Sequence, residues 1–128
     1  MDFSLSQEHE LIRESAYKFG QSEILPGLAE RDRISKSDPE MLKKMGAAGF
    51  LGVCIPAKYG GMGADYISLG IVCEELERAD STARVAMSVH AGLHSMTIMQ
   101  WGTEEQKQRW LPGLATGELV GGFGLTEP

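Results

Sequence analysis

No stretch of this chain gathers lysines and arginines, and a formal net charge of -6 gives it no positive field for phosphate backbones or anionic headgroups, which excludes nucleic-acid and membrane-surface partners. Cysteine is scarce. Cys54 and Cys73 stand singly in apolar surroundings, without C-x-x-C spacing and without a neighbouring His to complete a metal set or activate a thiolate, so both are expected to be buried free thiols in a reducing compartment. Also missing are a Walker sequence, a nucleophile elbow and a Ser, His, Asp arrangement. The glycine sets at 60–63 and 121–124 do not form G-x-G-x-x-G between a strand and a helix, so a nucleotide phosphate loop is unsupported and turn or close-packing roles are expected. The opening at Asp2 has neither the basic start and apolar core of a secretory signal nor the Arg-rich face of a transit peptide.

What is present is the material of one folded domain: 128 residues, 42% hydrophobic and 23% charged, are enough to bury a core. Helical signals dominate. Ser6 is placed to cap a helix from Gln7 on which Ile12, Ala16 and Phe19 share a face, and Pro26 should break or kink it near Leu25. Asp38 as cap and Pro39 at the first position announce a second helix, with Met41, Leu42 and Met45 as its apolar stripe and Gly49 as its stop. Phe50 to Pro56 reads as an apolar loop leading into the glycine turn Gly60, Gly61, Met62, Gly63. Asp65 caps a third helix with Leu69, Val72, Leu76 and Ala79 on one side. Ser81 is expected to cap a fourth, ending near Gly102. So short a connection makes the third and fourth helices an antiparallel hairpin. Thr103, Glu104, Glu105, Gln106 form a capping box for a fifth helix, limited by Pro112, Gly113 and Gly117. Leu119 to Leu125 reads as a glycine-interrupted strand with nothing to pair with, hence as the first piece of a further β-domain.

From Ser81 through Thr103 the only formal charge is Arg84, so this helix is expected to be buried nearly all round. A membrane span is excluded, because Ser88, His90, Gly92, His94, Ser95, Thr97 and Gln100 interrupt it well before the roughly 20 apolar residues a bilayer requires. Arg84 breaks a local rule, since a cation in the first turn faces the positive end of the macrodipole. Two compensations stay open: an ion pair with Asp80, or a bound carboxylate gripped by the guanidinium. His90 and His94 share a face, but a zinc peptidase pattern would need Glu at position 91, where Ala91 stands, so core or interface packing is the expectation.

The ending Gly121, Gly122, Phe123, Gly124, Leu125, Thr126, Glu127, Pro128 resembles the flavin-contacting strand of the acyl-CoA dehydrogenases. Ile55 to Gly63, Glu74 to Arg78, Met87 to Val89 and Gly102 to Pro112 are similar to that family too, in its order, so the resemblance spans essentially the whole chain. It implies an all-α fold of about five helices over residues 1–118, the family's N-terminal helical domain, and then residues 119–128 as the first strand of its middle β-domain. It implies FAD, held in part by Phe123, Gly124, Leu125, Thr126, Glu127 and Pro128. Glycines let backbone approach a flat ring, and Leu125 and Thr126 would lie near the isoalloxazine.

The family's Gly-Ser-Asp element follows this strand and its catalytic base, usually a Glu, lies far downstream. No catalytic residue is therefore assigned here, and the chain by itself is expected to be inactive. Arg84 to Val89 most resembles the glutaryl-CoA dehydrogenase branch, which implies Arg84 and Val85 as substrate-binding residues, Arg84 gripping the distal carboxylate of the acyl-CoA. Val85 departs from the Ser of many decarboxylating members, which leaves decarboxylation open, along with branched, cyclic or aryl thioesters. Further implications are an electron-transfer flavoprotein as partner, a homodimer or homotetramer, and a bacterial cytoplasmic location. The alternative is a non-enzymatic helical interaction or oligomerisation module on the same fold.

Overall fold

The computed structural model describes residues 4–126, and every regular element among them is helical. In α1 (Gln7–Phe19), the Ser6 hydroxyl accepts the His9 N–H at 3.2 Å while His9 Nδ1 accepts the Ser6 N–H at 3.3 Å, a reciprocal cap with His in place of the usual Glu or Gln. Past Phe19 the helix is kinked at Pro26 rather than broken, one of the two outcomes expected there. It loosens into a π turn (Gly20–Ile24), tightens into a 3-10 turn (Leu25–Gly27) and resumes as α2 (Leu28–Ile34). Pro26 removes one rung of the ladder, and the helix bends around the defect.

α3 (Met41–Ala47) begins two residues later than Pro39 suggests: the Asp38 carboxylate accepts the Glu40 N–H at 2.9 Å and its carbonyl the Met41 N–H at 3.1 Å, so Asp38 acts in a turn ahead of the helix. Gly49, at φ 83°, stops it. The apolar run that follows is a loop with a buried course: Phe50, Leu51, Val53 and Ile55 are enclosed. Its carbonyls are not orphaned, because the glycine turn folds back on them. Met62, Gly63 and Ala64 N–H groups donate to the Gly52, Ile55 and Val53 carbonyls, each at 2.8 Å, which satisfies backbone that no water reaches.

Asp65 caps α4 (Tyr66–Ala79) through the Ser68 N–H at 2.8 Å. A single extended residue, Asp80, separates it from α5 (Ser81–Met87), and the cap of α5 is Asp80, accepting from Thr82 N–H at 2.8 Å, rather than Ser81. Cys73 meets Met87 at 3.7 Å and Glu77 meets Arg84 at 2.5 Å; these pairs nest on either side of the Asp80 junction, so the two helices run antiparallel. A π-helical stretch (Ser88–Ser95) continues α5 into α6 (Met96–Trp101), and α7 (Glu104–Thr116) closes the set with the Thr103–Gln106 capping box. Counting continuous rods, the seven α-helical stretches make the five expected.

α4 lies between α1 and α5, and α7 packs across α3, α6 and the Phe50–Gly52 turn. The larger core joins Ala16, Met45, Phe50, Val72, Leu76 and Met87, with the Phe19 ring edge-on to Phe50 at 5.2 Å. A second cluster of Ile55, Tyr59, Leu111, Leu114 and Ala115 sits under α7. Among the described residues there is no strand: 119–125, expected as one, runs over the surface without a ladder partner. Strand geometry needs a neighbouring edge to pair with.

Candidate functional site

The long fourth rod is not enclosed on every side. Ala83, Met87, His90, Ala91 and Ser95 are buried, while Val85, Leu93 and Trp101 are 45%, 47% and 77% exposed. The absence of charge along it therefore produces a bare apolar face as well as a core face.

Inside this rod the ladder widens to the π pattern between Ser88 and Ser95. Ser95 Oγ donates to the His90 carbonyl at 2.8 Å and Thr97 Oγ1 to the Leu93 carbonyl at 2.5 Å. Hydroxyls that bond back onto carbonyls compete with the α ladder, and single π turns recur at functional sites. Both histidines lie within the widened stretch and turn toward the chain terminus.

His90 is 1% exposed. Its Nε2 donates to the Leu114 carbonyl at 2.8 Å, in the last turn of α7, and its Nδ1 accepts the Gly121 N–H at 3.0 Å. Burial holds its pKa below the ordinary imidazole value; the Leu114 carbonyl opposes this and His94 adds to it. His94 Nδ1 donates to the Gly122 carbonyl at 3.0 Å, with its ring against Gly121: a Cβ there would overlap His94 Cδ2 and approach Cγ at 2.5 Å and Cβ at 2.9 Å. Only glycine permits this contact. Among the described residues no group of three His, Cys, Asp or Glu is arranged to hold a metal.

From this anchor the segment runs outward. Phe123 is 52% and Leu125 80% exposed, Gly124 and Thr126 are exposed, and a Cβ on Gly122 or Gly124 would meet nothing within 4 Å. Glu127 and Pro128 lie outside the described residues. Apolar side chains and bare backbone in one exposed strip are suited to lie against a flat aromatic ligand.

Arg84 has a different partner from the one considered in sequence. Asp80 is taken by Arg31 at 3.0 Å, and Arg84 Nε pairs with Glu77 at 2.5 Å. The Glu77 carboxyl is held below the ordinary range by Arg84 first and Ser81 second, and the Arg84 guanidinium is pushed up in turn. Neighbouring Val85 is exposed. Arg84 lies on the rod to which the terminal segment is pinned, and its hydrogen-bond and ion-pair partner among the described residues is Glu77, not that segment. The thiols of Cys54 and Cys73 are both raised by burial, which makes them poor nucleophiles.

Sequence reasoning assigned the histidines to packing and missed what they pack against. A buried imidazole must have partners for both nitrogens; here they are backbone groups that sequence does not advertise.

The model of the acyl-CoA dehydrogenase N-terminal domain matches residues 6–118. The short-chain specific acyl-CoA dehydrogenase of Clostridium acetobutylicum is 43% identical over 128 residues, covering all of this chain and 34% of that protein. A chain in the structure of the electron transferring flavoprotein of Acidaminococcus fermentans, solved toward a mechanism of flavin-based electron bifurcation, superposes with a TM-score of 0.96 at 41% identity, covering 100% of this chain and 34% of that one. The glutaryl-CoA dehydrogenase of Mycobacterium smegmatis in complex with FADH2 superposes with a TM-score of 0.91 at 36% identity, covering 97% and 32%. The chain thus spans about a third of the length of the proteins it matches.

Proposed function

The chain belongs to the acyl-CoA dehydrogenase family, matching its N-terminal domain, and from that premise we propose that it is the helical N-terminal part of an FAD-dependent enzyme that dehydrogenates a short-chain acyl-CoA thioester. The observation that carries this is the strip Gly121–Thr126, pinned to the fourth rod by His90 and His94 and exposed beyond it.

The residues present fit the flavin. Gly122 and Gly124 leave the backbone bare and Phe123 and Leu125 offer apolar contact, while the Thr126 hydroxyl is a donor for the polar edge of a ring. Glu127 and Pro128 extend the same stretch. Bound there, the flavin supplies the hydride acceptor for loss of hydrogen from the acyl β-carbon. The task of these residues is to hold and orient. Removal of the α-proton needs a positioned carboxylate base, a role that this reading assigns to none of these residues, and on it the chain alone is inactive.

The finer reading concerns the acyl group. Arg84 engages Glu77 through Nε alone among the described residues, so the outer edge of its guanidinium remains available to a second carboxylate as a bidentate fork. With Val85 exposed beside it, this favours a glutaryl-like dicarboxylyl thioester within the short-chain class. Electrons would pass to an electron-transfer flavoprotein, and a homodimer or homotetramer would cover the exposed apolar residues.

The test is to express the natural gene from start to stop, purify the product, and record its flavin absorbance before and after butyryl-CoA and glutaryl-CoA in separate cuvettes. Bleaching by glutaryl-CoA that disappears in Arg84→Ala supports the whole reading. Bleaching by butyryl-CoA that Arg84→Ala leaves intact removes the carboxylate anchor and keeps the dehydrogenase. A folded product without flavin replaces the enzyme with a helical interaction module.

A further inference from the structure

Resting on the flavin reading above, we propose that His90 is a positioning residue, whose neutral tautomer with hydrogen on Nε2 sets where the strip Gly121–Thr126 leaves the helical domain and so where it meets the flavin. Among the described residues, His90 is the one side chain whose hydrogen bonds tie together the fourth rod, the end of α7 and the start of the strip. It gives Leu114 a hydrogen and takes one from Gly121, and an imidazole with an acceptor on one side and a donor on the other can be a single species. Hydrogen on Nδ1, in the other tautomer or in the cation, would confront the Gly121 N–H with a second N–H.

The geometry explains why a side chain is needed there. Between Leu114 and Gly121 the chain leaves α7 through Gly117 at φ 76°. After the Leu119 N–H, which reaches the Gly113 carbonyl at 3.0 Å, no residue from 120 to 126 makes a backbone–backbone hydrogen bond among the described residues. The strip therefore has no ladder to set its register in this domain. His90 closes that turn from beneath, and His94 walls it with a ring on Gly121 and a bond to the Gly122 carbonyl. Displacing a ligand-facing strand by about 1 Å is enough to misplace a reacting ring, so this anchor bears on orientation as well as folding.

Two substitutions separate these roles, because an Asn amide reaches about as far as Nδ1 and a Gln amide about as far as Nε2. In the full product of the natural gene, His90→Asn retains an acceptor for Gly121 and loses the bond to Leu114. Flavin affinity is expected to stay within about twofold, while the apoprotein melts earlier. His90→Gln keeps the bond to α7 and loses Gly121: flavin affinity falls about tenfold, and hydrogen exchange of the peptide spanning 119–126 accelerates, with the apoprotein melting point close to that of the parent. The opposite pattern overturns the proposal, as does loss of flavin affinity in simple proportion to lost stability in both variants. Nitrogen NMR of the unsubstituted protein decides the tautomer even if neither variant folds: hydrogen on Nδ1, or an imidazolium at neutral pH, overturns it. An unsubstituted protein that takes up no flavin sinks the functional reading and the flavin half of this proposal, while tautomer and exchange still decide the anchor.

Discussion

Arg31 and Asp80 meet at 3.0 Å across 49 residues of sequence, with their side chains only 14% and 7% exposed. The same guanidinium donates to the Ile24 carbonyl at 2.6 Å, so this ion pair joins the kink after α1, the helix α2 and the α4–α5 junction. Burial tends to raise the Asp80 carboxyl, but Arg31 and then the Thr82 contacts outweigh it and its pKa lies below the ordinary value. Asp80→Ala removes a cap and leaves Arg31 buried without its counter-charge, which should cost roughly 3 kcal/mol. Asp80→Asn, which can still cap, should cost less. Urea unfolding midpoints of the two variants check the order.

Asp65 carries the pH dependence of the α4 start. Its carboxyl is brought down from 3.8 to about 2, chiefly by the Ser68 N–H and hydroxyl; burial opposes them, and His9 adds further lowering. A depressed carboxylate stabilises the fold above its unfolded value and loses that contribution as pH falls. The helix start should therefore weaken between 3.8 and about 2. Carbon NMR titration of the Asp65 carboxyl reads this directly, and an ordinary midpoint near that of an unfolded chain would refute it.

Gly46 shows where a usually favourable substitution reverses. Ala for Gly inside a helix ordinarily gains about 1 kcal/mol. Here the added Cβ would overlap the Thr116 carbonyl and lie 2.9 Å from the Gly117 nitrogen, where α3 crosses the end of α7. Both obstacles are backbone and do not rotate away, so Gly46→Ala should destabilise by about 1–3 kcal/mol. A raised melting temperature would mean that the two helices do not cross this closely.

Tyr59, 2% exposed, donates to the Glu104 carboxylate at 2.8 Å and 2.9 Å, with Lys58 over its ring. That hydroxyl is the leading reason the Glu104 carboxyl lies below its ordinary value, ahead of Lys58 and against some burial. In Tyr59→Phe the Glu104 midpoint should rise toward normal, as read by NMR titration. An unmoved midpoint would assign the effect to Lys58.

Much of the fold was legible because its signals are local. Ser6, Asp65 and the Thr103–Gln106 box mark helix starts by bonding to backbone three residues away. Where a signal had two local solutions, sequence chose wrongly twice: Asp80 competes with Ser81 for one cap, and Asp38 satisfies a turn before α3; at Pro26, where a break or a kink was expected, the chain takes the kink and resumes as α2. Burial of the fourth rod was overstated for a related reason. Lack of charge reports that a face avoids water, and Val85 and Leu93 remain exposed among the described residues.

By itself, the sequence determined the helices, the hairpin about Asp80, the free thiols and the family, because these depend on spacing, capping and the order of short motifs along one chain. Tertiary structure alone decided which cation neutralises Asp80, which carboxylate holds Arg84, and that His90 and His94 grip the backbone at Gly121 and Gly122. Those pairings join groups up to 49 residues apart, and in the grip on Gly121 and Gly122 the second partner is a main-chain atom that every residue type carries. No pattern of side chains can encode such a partner; it is selected only when packing brings the two elements together.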